Sequence, residues 1–288
     1  MKDEKIITIN DLPKHSEWPE RLLGIEEFNV RDKSHDEVVR EYNTDKWGEL
    51  LSKISMIKDP SVSNADKIVY QENEGALLPY WNGSNFVLDT EENTIKQHFD
   101  IYSNILKKYV KNASGLCELG AGYGRFILNF AKAQFNNNLD IFAGELTETG
   151  QELIKILSKN MGLDISVGFC DFRSQSFENL KLISEMVIYT SYSVHYVPEL
   201  RDDFPDFLLT AKPKMVVHFE PCFEHYDEST LHGLMCRKYI KMNDYNTNLL
   251  TILKKAEKAG RIEIIEEKKN VIGSNPFLPI SIIAWRGC

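Results

Sequence analysis

A glycine-rich stretch, LCELGAGYGRF at residues 116–126, most constrains how this chain can fold. Gly120, Gly122 and Gly124 alternate directly after a short apolar run that contains one acid, Glu118. Glycine adopts backbone angles that other residues avoid, and its missing side chain lets a ligand lie against the peptide plane. The stretch therefore predicts a sharp turn from a buried strand into a helix, with room for a ligand at the turn.

Beyond residue 114, apolar runs alternate with helical stretches along the sequence. This alternation is typical of an α/β fold built from βαβ units around a parallel sheet. Strands are predicted at 115–119, 139–145, 164–169, 185–190 and 214–220, and helices at 124–134 and 149–160. The glycine stretch thus follows a predicted strand and opens a predicted helix, which is the context that a ligand-binding turn requires.

The end of the chain departs from this alternation. After a predicted helix at 246–260, two β-rich runs at 261–272 and 281–287 follow with no helix between them. Strands joined by a loop alone pair antiparallel. We therefore expect an antiparallel pair at the edge of the sheet.

The first 94 residues have a less regular pattern. A helix is predicted over 36–57, and the Asn-Gly pair within YWNGSNFVLD predicts a β-hairpin over 80–89. Asp89, with Glu92 three residues later, is expected to cap a helix over 94–110.

These patterns divide the chain into two parts. Residues 1–94 are expected to form a mainly helical lid, which would exclude water from the site when it closes. Residues 95–288 are expected to form the main domain, with an insertion at about 221–248. The polar run QFNNNLD at 134–140 is expected to be a turn.

Composition argues against several classes of protein. The formal net charge is −9 and no dense Lys/Arg stripe offsets it, so a nucleic-acid partner is not expected. No apolar run approaches the ~18 residues that span a bilayer, and the first ten residues lack the apolar core of a signal peptide. Five cysteines without a CxxC pair are typical of free thiols in a reducing compartment. A cytoplasmic location is therefore expected.

Two acids indicate the kind of ligand that the glycine turn binds. Glu145 ends the next predicted strand, about 20 residues past the last glycine, where a carboxylate can accept both hydroxyls of a ribose. Glu118 precedes a GxGxG pattern that differs from the GxGxxG of dinucleotide sites, where a pyrophosphate binds. An acid at this position would repel an anion and attract a cationic, amino-acid-like group. The pair favours a positively charged nucleoside cofactor.

The segments ELGAGYG, GELTE and GFCDF resemble the first motifs of class I S-adenosylmethionine-dependent methyltransferases, and the similarity covers roughly residues 95–288. The resemblance implies a Rossmann-like doubly wound sheet of about seven strands, mostly parallel with an antiparallel last strand. It implies S-adenosylmethionine as cofactor. The cofactor-binding residues that it implies are Glu118, Gly120, Ala121, Gly122, Gly124, Glu145, Leu146, Asp171, Phe172 and Ser191.

The resemblance also implies a role for each acid. Glu118 would lie near the methionine amine, Glu145 would bind the ribose hydroxyls, and Asp171 with Phe172 would hold and cover the adenine.

The segment TSYSVHY at 190–196 follows the fourth strand, where the resembled family faces its substrate. His195 is the candidate general base, because its ordinary pKa lies near neutrality and an alcohol must lose a proton as it attacks. The alternative is that His195 only caps a helix or packs on its neighbour. Tyr192 is expected to touch cofactor or substrate, and Glu220 to orient a substrate hydroxyl or amine at the end of the fifth strand.

A metal site is a less favoured interpretation of the fifth strand than a role in substrate binding. His218, Glu220 and Cys222 are ligand types that would share one face of it, but their spacing matches no recognised site and Pro221 interrupts the strand. No metal is therefore expected.

The activity that the resemblance implies is methyl transfer to an oxygen or nitrogen of a polar small molecule, such as a sugar or natural-product precursor. The arrangement of the sequence most resembles that of bacterial small-molecule or sugar O-methyltransferases. Two alternatives stay open. One is cyclisation of S-adenosylmethionine to an azetidine amino acid with release of methylthioadenosine. The other is a non-catalytic protein that only binds the cofactor.

Overall fold

The computed structural model of the protein describes residues 5–28, 34–133 and 139–288. The first five residues of the predicted polar turn, 134–138, lie outside these ranges, and residue 134 is also the last residue of the predicted helix over 124–134. Along the part of the chain that is described, no helix is both long enough and apolar enough to cross a membrane.

The main sheet has eight strands among the described residues, in the order β10-β11-β9-β8-β4-β5-β6-β7. The strands are β4 (Gly115–Leu119), β5 (Asp140–Glu145), β6 (Ser166–Asp171), β7 (Ser176–Glu178), β8 (Val187–Ser191), β9 (Met215–Pro221), β10 (Ile262–Ile272) and β11 (Ile280–Gly287). The five central strands, from β9 through β6, pair in parallel. This confirms the predicted, mostly parallel α/β sheet.

The last strand is antiparallel to both of its neighbours, as predicted. β11 lies between β9 and β10 and pairs antiparallel with each of them. The β10–β11 pair therefore forms one edge of the sheet, with β10 outermost. The opposite edge ends in β7, a short strand that the sequence did not predict and that pairs antiparallel with β6.

Helices cover both faces of this sheet. They are α5 (Glu91–Tyr109), α6 (Arg125–Ala133), α7 (Glu148–Asn160), α8 (Phe204–Leu209), α9 (Leu231–Met242) and α10 (Leu249–Lys258). Neighbouring residues of one strand enter different cores, because side chains alternate across a sheet. Leu116 packs in the core beside α5, α6 and α7, whereas Cys117 packs in the core beside α8 and α10. β4, β8 and β9 are buried along their whole length as a result.

The N-terminal part is mainly helical, as predicted, and also contains a small sheet. Its helices are α1 (Trp18–Leu23), α2 (His35–Arg40), α3 (Trp47–Ile54) and α4 (Val62–Val69), with 3₁₀ turns at Ile9–Lys14 and Gln71–Asn73. Its strands are β1 (Lys5–Ile7), β2 (Leu77–Trp81) and β3 (Phe86–Thr90), in the order β1-β3-β2. A π-helical segment, Glu41–Lys46, joins α2 to α3. The predicted helix over 36–57 is thus one continuous helix whose middle turn is widened.

The hairpin predicted from Asn82-Gly83 is present as the antiparallel pair β2–β3. Its first strand is attached to the main sheet, because Trp81 and Gly273 exchange two backbone hydrogen bonds of 2.9 Å. The helix after the hairpin begins at Glu91, three residues before its predicted start. Its cap is Thr90 instead of Asp89, since the side chain of Thr90 accepts from the backbone of Asn93. α5 then runs across residues 94 and 95, where the boundary between the two parts was predicted.

The predicted insertion contains a 3₁₀ turn, Phe223–His225, and α9. α9 contributes Met235, Cys236 and Ile240 to a third core, which it shares with residues of the N-terminal sheet such as Phe86 and Leu88. The insertion and the N-terminal part are thus packed on each other.

Gly83 tests how much the hairpin turn stabilises the fold. Its φ is +96°, and a Cβ there would lie 2.8 Å from the carbonyl oxygen of Val271 in β10. We expect Gly83→Ala to lower the free energy of unfolding by about 2–3 kcal/mol. Gly162→Ala is the control, because Gly162 has φ +66° but no atom within 4 Å of its would-be Cβ, and should cost about 1 kcal/mol. Urea denaturation measures both, and equal losses would contradict the assigned contact.

Candidate functional site

A cavity of about 810 Å³ opens at the carboxyl ends of β4, β5, β6 and β8. Ligands of open α/β sheets bind at this edge. Most of the residues predicted for the site line it, namely Glu118, Gly120, Ala121, Gly122, Glu145, Leu146, Asp171, Phe172, Ser191, Tyr192 and His195. Gly124 and Glu220 are not among the lining residues.

The glycine turn brings backbone, without side chains, to the wall of the cavity. Gly120 and Gly122 have φ values of +74° and +58°. A Cβ on Gly120 would lie 2.3 Å from the Cβ of Ser193, and one on Gly122 would lie 3.1 Å from the Trp47 ring. Gly124 has a different task, because its would-be Cβ meets the side chains of α6 and α7 at 3.0 Å. Gly124 therefore allows the close packing of these two helices, and its assignment as a cofactor contact stays a prediction.

Glu118 is buried beneath the turn. Its Oε2 atom accepts the backbone N–H of Ile127 at 3.1 Å and the hydroxyl of Tyr189 at 3.0 Å. Ile127 lies in the first turn of α6, where backbone N–H groups have no partner within the helix. Burial raises the pKa of Glu118 to about 8, against the smaller effect of these two hydrogen bonds. A ligand cation placed beside this carboxyl would favour its ionised form.

Glu145 supports the turn from the neighbouring strand. Its Oε2 accepts the N–H of Gly122 at 2.8 Å, and its Oε1 accepts the backbone N–H and hydroxyl of Thr147 at 3.0 and 2.7 Å. Burial raises the pKa of this carboxyl as well. The acid predicted to bind a ribose thus also fixes the glycine turn against β5.

Asp171 lines the cavity, but its carboxylate is held by its own turn. One oxygen accepts the N–H of Arg173 at 2.9 Å, and the other accepts the hydroxyl of Ser174 at 2.6 Å. Phe172 is buried close to Gly120, at 3.4 Å from its would-be Cβ. Phe172 thus lies on the cavity wall beside the glycine turn, and its covering role stays a prediction.

The segment after β8 places three predicted residues along one side of the cavity. Ser191 donates its hydroxyl to Tyr102 at 3.0 Å. Tyr192 has a φ of +46°, a strained conformation for a residue with a side chain, and its hydroxyl reaches the Leu278 carbonyl at 3.3 Å. His195 follows in a 3₁₀ turn, Val194–Tyr196, and its ring lies 4.1 Å from that of Tyr196.

His195 and Glu220 form a buried pair, with Nδ1 of the histidine 3.5 Å from a carboxylate oxygen. Glu220 also accepts the backbone N–H groups of Ser193 and Val194 at 3.0 and 3.1 Å. Burial alone would raise its pKa, but the hydrogen bond and charge of His195 together with these N–H groups lower it. Glu220 therefore lies behind His195 instead of facing the substrate crevice, which corrects the prediction for this residue.

The other ligand-type residues on and directly after β9 have separate partners. His218 contacts the Thr190 hydroxyl at 2.9 Å through Nδ1, and the Cys222 thiol contacts Glu224 at 3.3 Å. Within residues 5–28, 34–133 and 139–288, no three His, Cys, Asp or Glu side chains form a group that could hold a metal ion.

Sequence reasoning missed the aromatic residues that cover the cavity from the N-terminal part. Tyr42 and Trp47 line the cavity, and the Tyr42 hydroxyl donates to that of Tyr196. Asn43, between them, accepts the hydroxyl of Thr149 through its backbone carbonyl at 2.9 Å. The two aromatic residues are five positions apart, which an α-helix would not align but the widened π-helical turn does. This five-residue spacing was the only feature of the sequence that could have indicated the aromatic cover.

No protein-family model and no curated protein matches this sequence. Among solved structures, magnesium protoporphyrin IX methyltransferase from Synechocystis PCC 6803, with bound SAH, matches with a TM-score of 0.51 and 12% identity, over 88% of this chain and 100% of that one. A geranyl diphosphate C-methyltransferase from Streptomyces coelicolor A3(2) matches with a TM-score of 0.48 and 10% identity, over 69% and 84%. A SAM dependent methyltransferase from Aquifex aeolicus matches at 0.45 and 14%, over 68% and 99%.

The first of these matches shows the fold. The chain shares the Rossmann-like α/β architecture of that structure, and the fold that the resemblance implied is confirmed.

The raised pKa of Glu118 gives a stability prediction. A carboxyl whose pKa rises on folding, here from 4.5 to about 8, stabilises the fold fully below pH 4.5. That contribution is lost as the pH rises towards 8. Because glutamine does not ionise, Glu118→Gln should be more stable than the unmodified protein at pH 8, by on the order of 1–3 kcal/mol, and should lose this advantage at pH 4.5. Urea denaturation at the two pH values measures the difference.

Glu178→Gln, at an exposed position of β7, is the matched control and should show no such pH trend. A Glu118→Gln stability difference that does not change with pH would contradict the burial argument.

Proposed function

We propose that this chain is an S-adenosylmethionine-dependent methyltransferase that methylates an oxygen or nitrogen of a small molecule. The observation that carries the proposal is the glycine turn itself. It presents side-chain-free backbone at the ligand edge of the sheet, between two buried carboxyls, Glu118 and Glu145. The solved structure that shares the fold was crystallised with SAH, the product form of this cofactor.

The residues present fit this cofactor. Gly120 and Gly122 leave the space that a Cβ would fill, Glu118 can attract the ammonium of the methionine part, and Glu145 can accept hydroxyls of the ribose. Bound there, S-adenosylmethionine supplies a methyl group activated by its positively charged sulfur. The protein's own contribution is alignment, which can be worth ~7–11 kcal/mol of the barrier.

His195 is the proposed general base. The carboxylate of Glu220 beside Nδ1 favours a proton on that nitrogen, which leaves Nε2 to accept a proton from the nucleophile. Glu220 then stabilises the imidazolium that forms, because an opposite charge nearby favours the charged ring. Glu220 is thus a positioning residue, while His195 is the one that lines the cavity.

The π-helical segment and α3, which cover the cavity, would exclude water during the reaction. Two ring contacts join this cover to the opposite wall. The ring of Tyr42 lies 5.2 Å from that of Tyr196, and the ring of Trp47 lies 5.2 Å from that of Tyr123. A closed cavity strengthens electrostatic interactions and prevents hydrolysis. This is the role that we propose for the predicted N-terminal lid.

Gly122→Val tests cofactor binding directly. We expect it to weaken SAH binding by at least about 100-fold, equivalent to about 2.7 kcal/mol, because the side chain would enter the turn. Isothermal titration calorimetry with SAH measures this. Gly162→Val is the control, since it strains a left-handed position with open space around it, away from the cavity, and should leave binding unchanged. Equal binding by Gly122→Val would refute the assigned pocket.

His195→Ala tests the reaction. Incubated with methyl-labelled S-adenosylmethionine and the dialysable fraction of a cell extract, the unmodified protein should transfer label to a small molecule. The variant should lose about 100-fold or more in rate with unchanged affinity for SAH. His225→Ala is the matched control, because His225 is also buried and paired with a glutamate, Glu267 at 3.1 Å, but away from the cavity.

The products of the same incubation separate this proposal from its alternatives. SAH as the product supports methyl transfer, and methylthioadenosine would indicate cyclisation of the cofactor. Binding of SAH without any product would identify a protein that only binds the cofactor. Neither alternative gains support from the fold comparison.

A further inference from the structure

One group on the cavity wall has no part in the function proposed above. His98 lies on α5 and lines the cavity, although only 2% of its surface is exposed. Its Nδ1 is 2.8 Å from the backbone carbonyl oxygen of Thr94, one helical turn earlier. Among the described residues, Nε2 has no hydrogen-bond partner. A buried nitrogen without a partner is costly, and it calls for an explanation.

The contact with Thr94 fixes the chemical character of the free nitrogen. A carbonyl oxygen can only accept, so Nδ1 must carry the hydrogen in this contact. In a neutral ring, Nε2 then has a lone pair and no hydrogen. Burial and the nearby Arg125 lower the pKa of His98 to about 4, so the ring is neutral at physiological pH. Nε2 is therefore a fixed hydrogen-bond acceptor.

Apolar and aromatic side chains share the cavity wall with His98. Ile95, one turn earlier on α5, lines the same cavity together with Phe126, Tyr192 and Leu278. The ring of Tyr192 lies 6.1 Å from that of His98. Arg125, whose charge acts on His98, lines the same cavity and is paired with Asp66 at 2.9 Å.

We propose that His98 recognises the methyl acceptor, by accepting a hydrogen bond at Nε2 from an O–H or N–H group of an otherwise apolar or aromatic molecule. This inference rests on the proposed methyltransferase function and specifies its substrate class. It differs from the sugar-like acceptor expected from the sequence, because a single acceptor nitrogen beside the aromatic rings of Tyr102 and Tyr192 suits a molecule with few polar groups.

Tyr192 lies near both His98 and the proposed base. Its ring is 6.1 Å from that of His98 and 5.9 Å from that of His195. His195 has a carboxylate partner and can take up a proton, whereas His98 has none and would hold a proton poorly. His98 is therefore a specificity-determining residue and His195 the base. Nε2 is shielded from solvent, so a donor reaches it only when a side chain of the surrounding wall moves.

Nuclear magnetic resonance of ¹⁵N-histidine-labelled protein tests the recognition directly. Phenol is the probe and anisole its control, because the two have similar ring shapes but only phenol has a hydrogen to donate. We expect phenol to move the Nε2 resonance of His98 in a saturable manner and anisole to leave it nearly unchanged. The comparison is made with and without SAH, so a failure to bind SAH would count against the proposed function and not against this inference.

His218 is the internal control in the same spectra. It too is buried with an unpartnered Nε2 and a pKa lowered by burial to about 4, but it is not on the cavity wall. Its resonance should not respond to phenol. Equal responses of His98 to phenol and anisole, or none to phenol up to its solubility limit, would overturn the proposal.

Two variants separate recognition from structure. His98→Asn keeps an N–H for the Thr94 carbonyl but removes the acceptor, whereas His98→Gln extends an amide oxygen towards the Nε2 position. With the small molecule that accepts label from S-adenosylmethionine, we expect His98→Asn to raise KM at least about 10-fold while kcat changes less, and His98→Gln to recover part of the loss.

Affinity for SAH completes the test. It should stay unchanged in both variants. A weaker affinity in His98→Asn would place His98 at the cofactor's ammonium group and overturn the assignment to the acceptor.

Discussion

The burial of the Glu118 carboxyl under the glycine turn is the constraint on which the site depends. A carboxyl is costly to bury unless its oxygens are hydrogen-bonded, and here one oxygen meets the start of α6 and the Tyr189 hydroxyl. The same contact fixes where α6 begins, so the turn before it must be sharp. Gly120 and Gly122 allow that turn. They also leave space beside the Glu118 carboxyl, whose ionised form a nearby cation would favour.

The second carboxyl acts on the same turn from the neighbouring strand. Glu145 accepts the N–H of Gly122, so β4 and β5 are joined at the ligand edge by more than their ladder of backbone bonds. A ligand hydroxyl bound to this carboxylate would therefore also change the hydrogen bond that holds the glycine turn. Ligand binding and the rigidity of the turn would thus be coupled through the Glu145 side chain.

The sequence predicted the parts of this molecule whose signals are local. Strands such as β4 are buried on both faces and form continuous apolar runs, so their positions were predicted within a residue or two. β7 is three residues long and not buried, and it left no pattern to read. The places of Trp47 and Glu220 depend on packing between distant segments, and spacing alone could not show that Trp47 covers the turn or that Glu220 lies behind His195.

Four buried histidines show how surroundings assign different chemistry to one residue type. His195 and His225 each face a glutamate, which can stabilise a charged ring, whereas His98 and His218 have none and stay neutral. Only one of each kind lies on the cavity wall. The site therefore combines a histidine that can exchange a proton with one that can only accept a hydrogen bond. That combination suits a reaction in which one group must lose a proton while the rest of the molecule is held neutral.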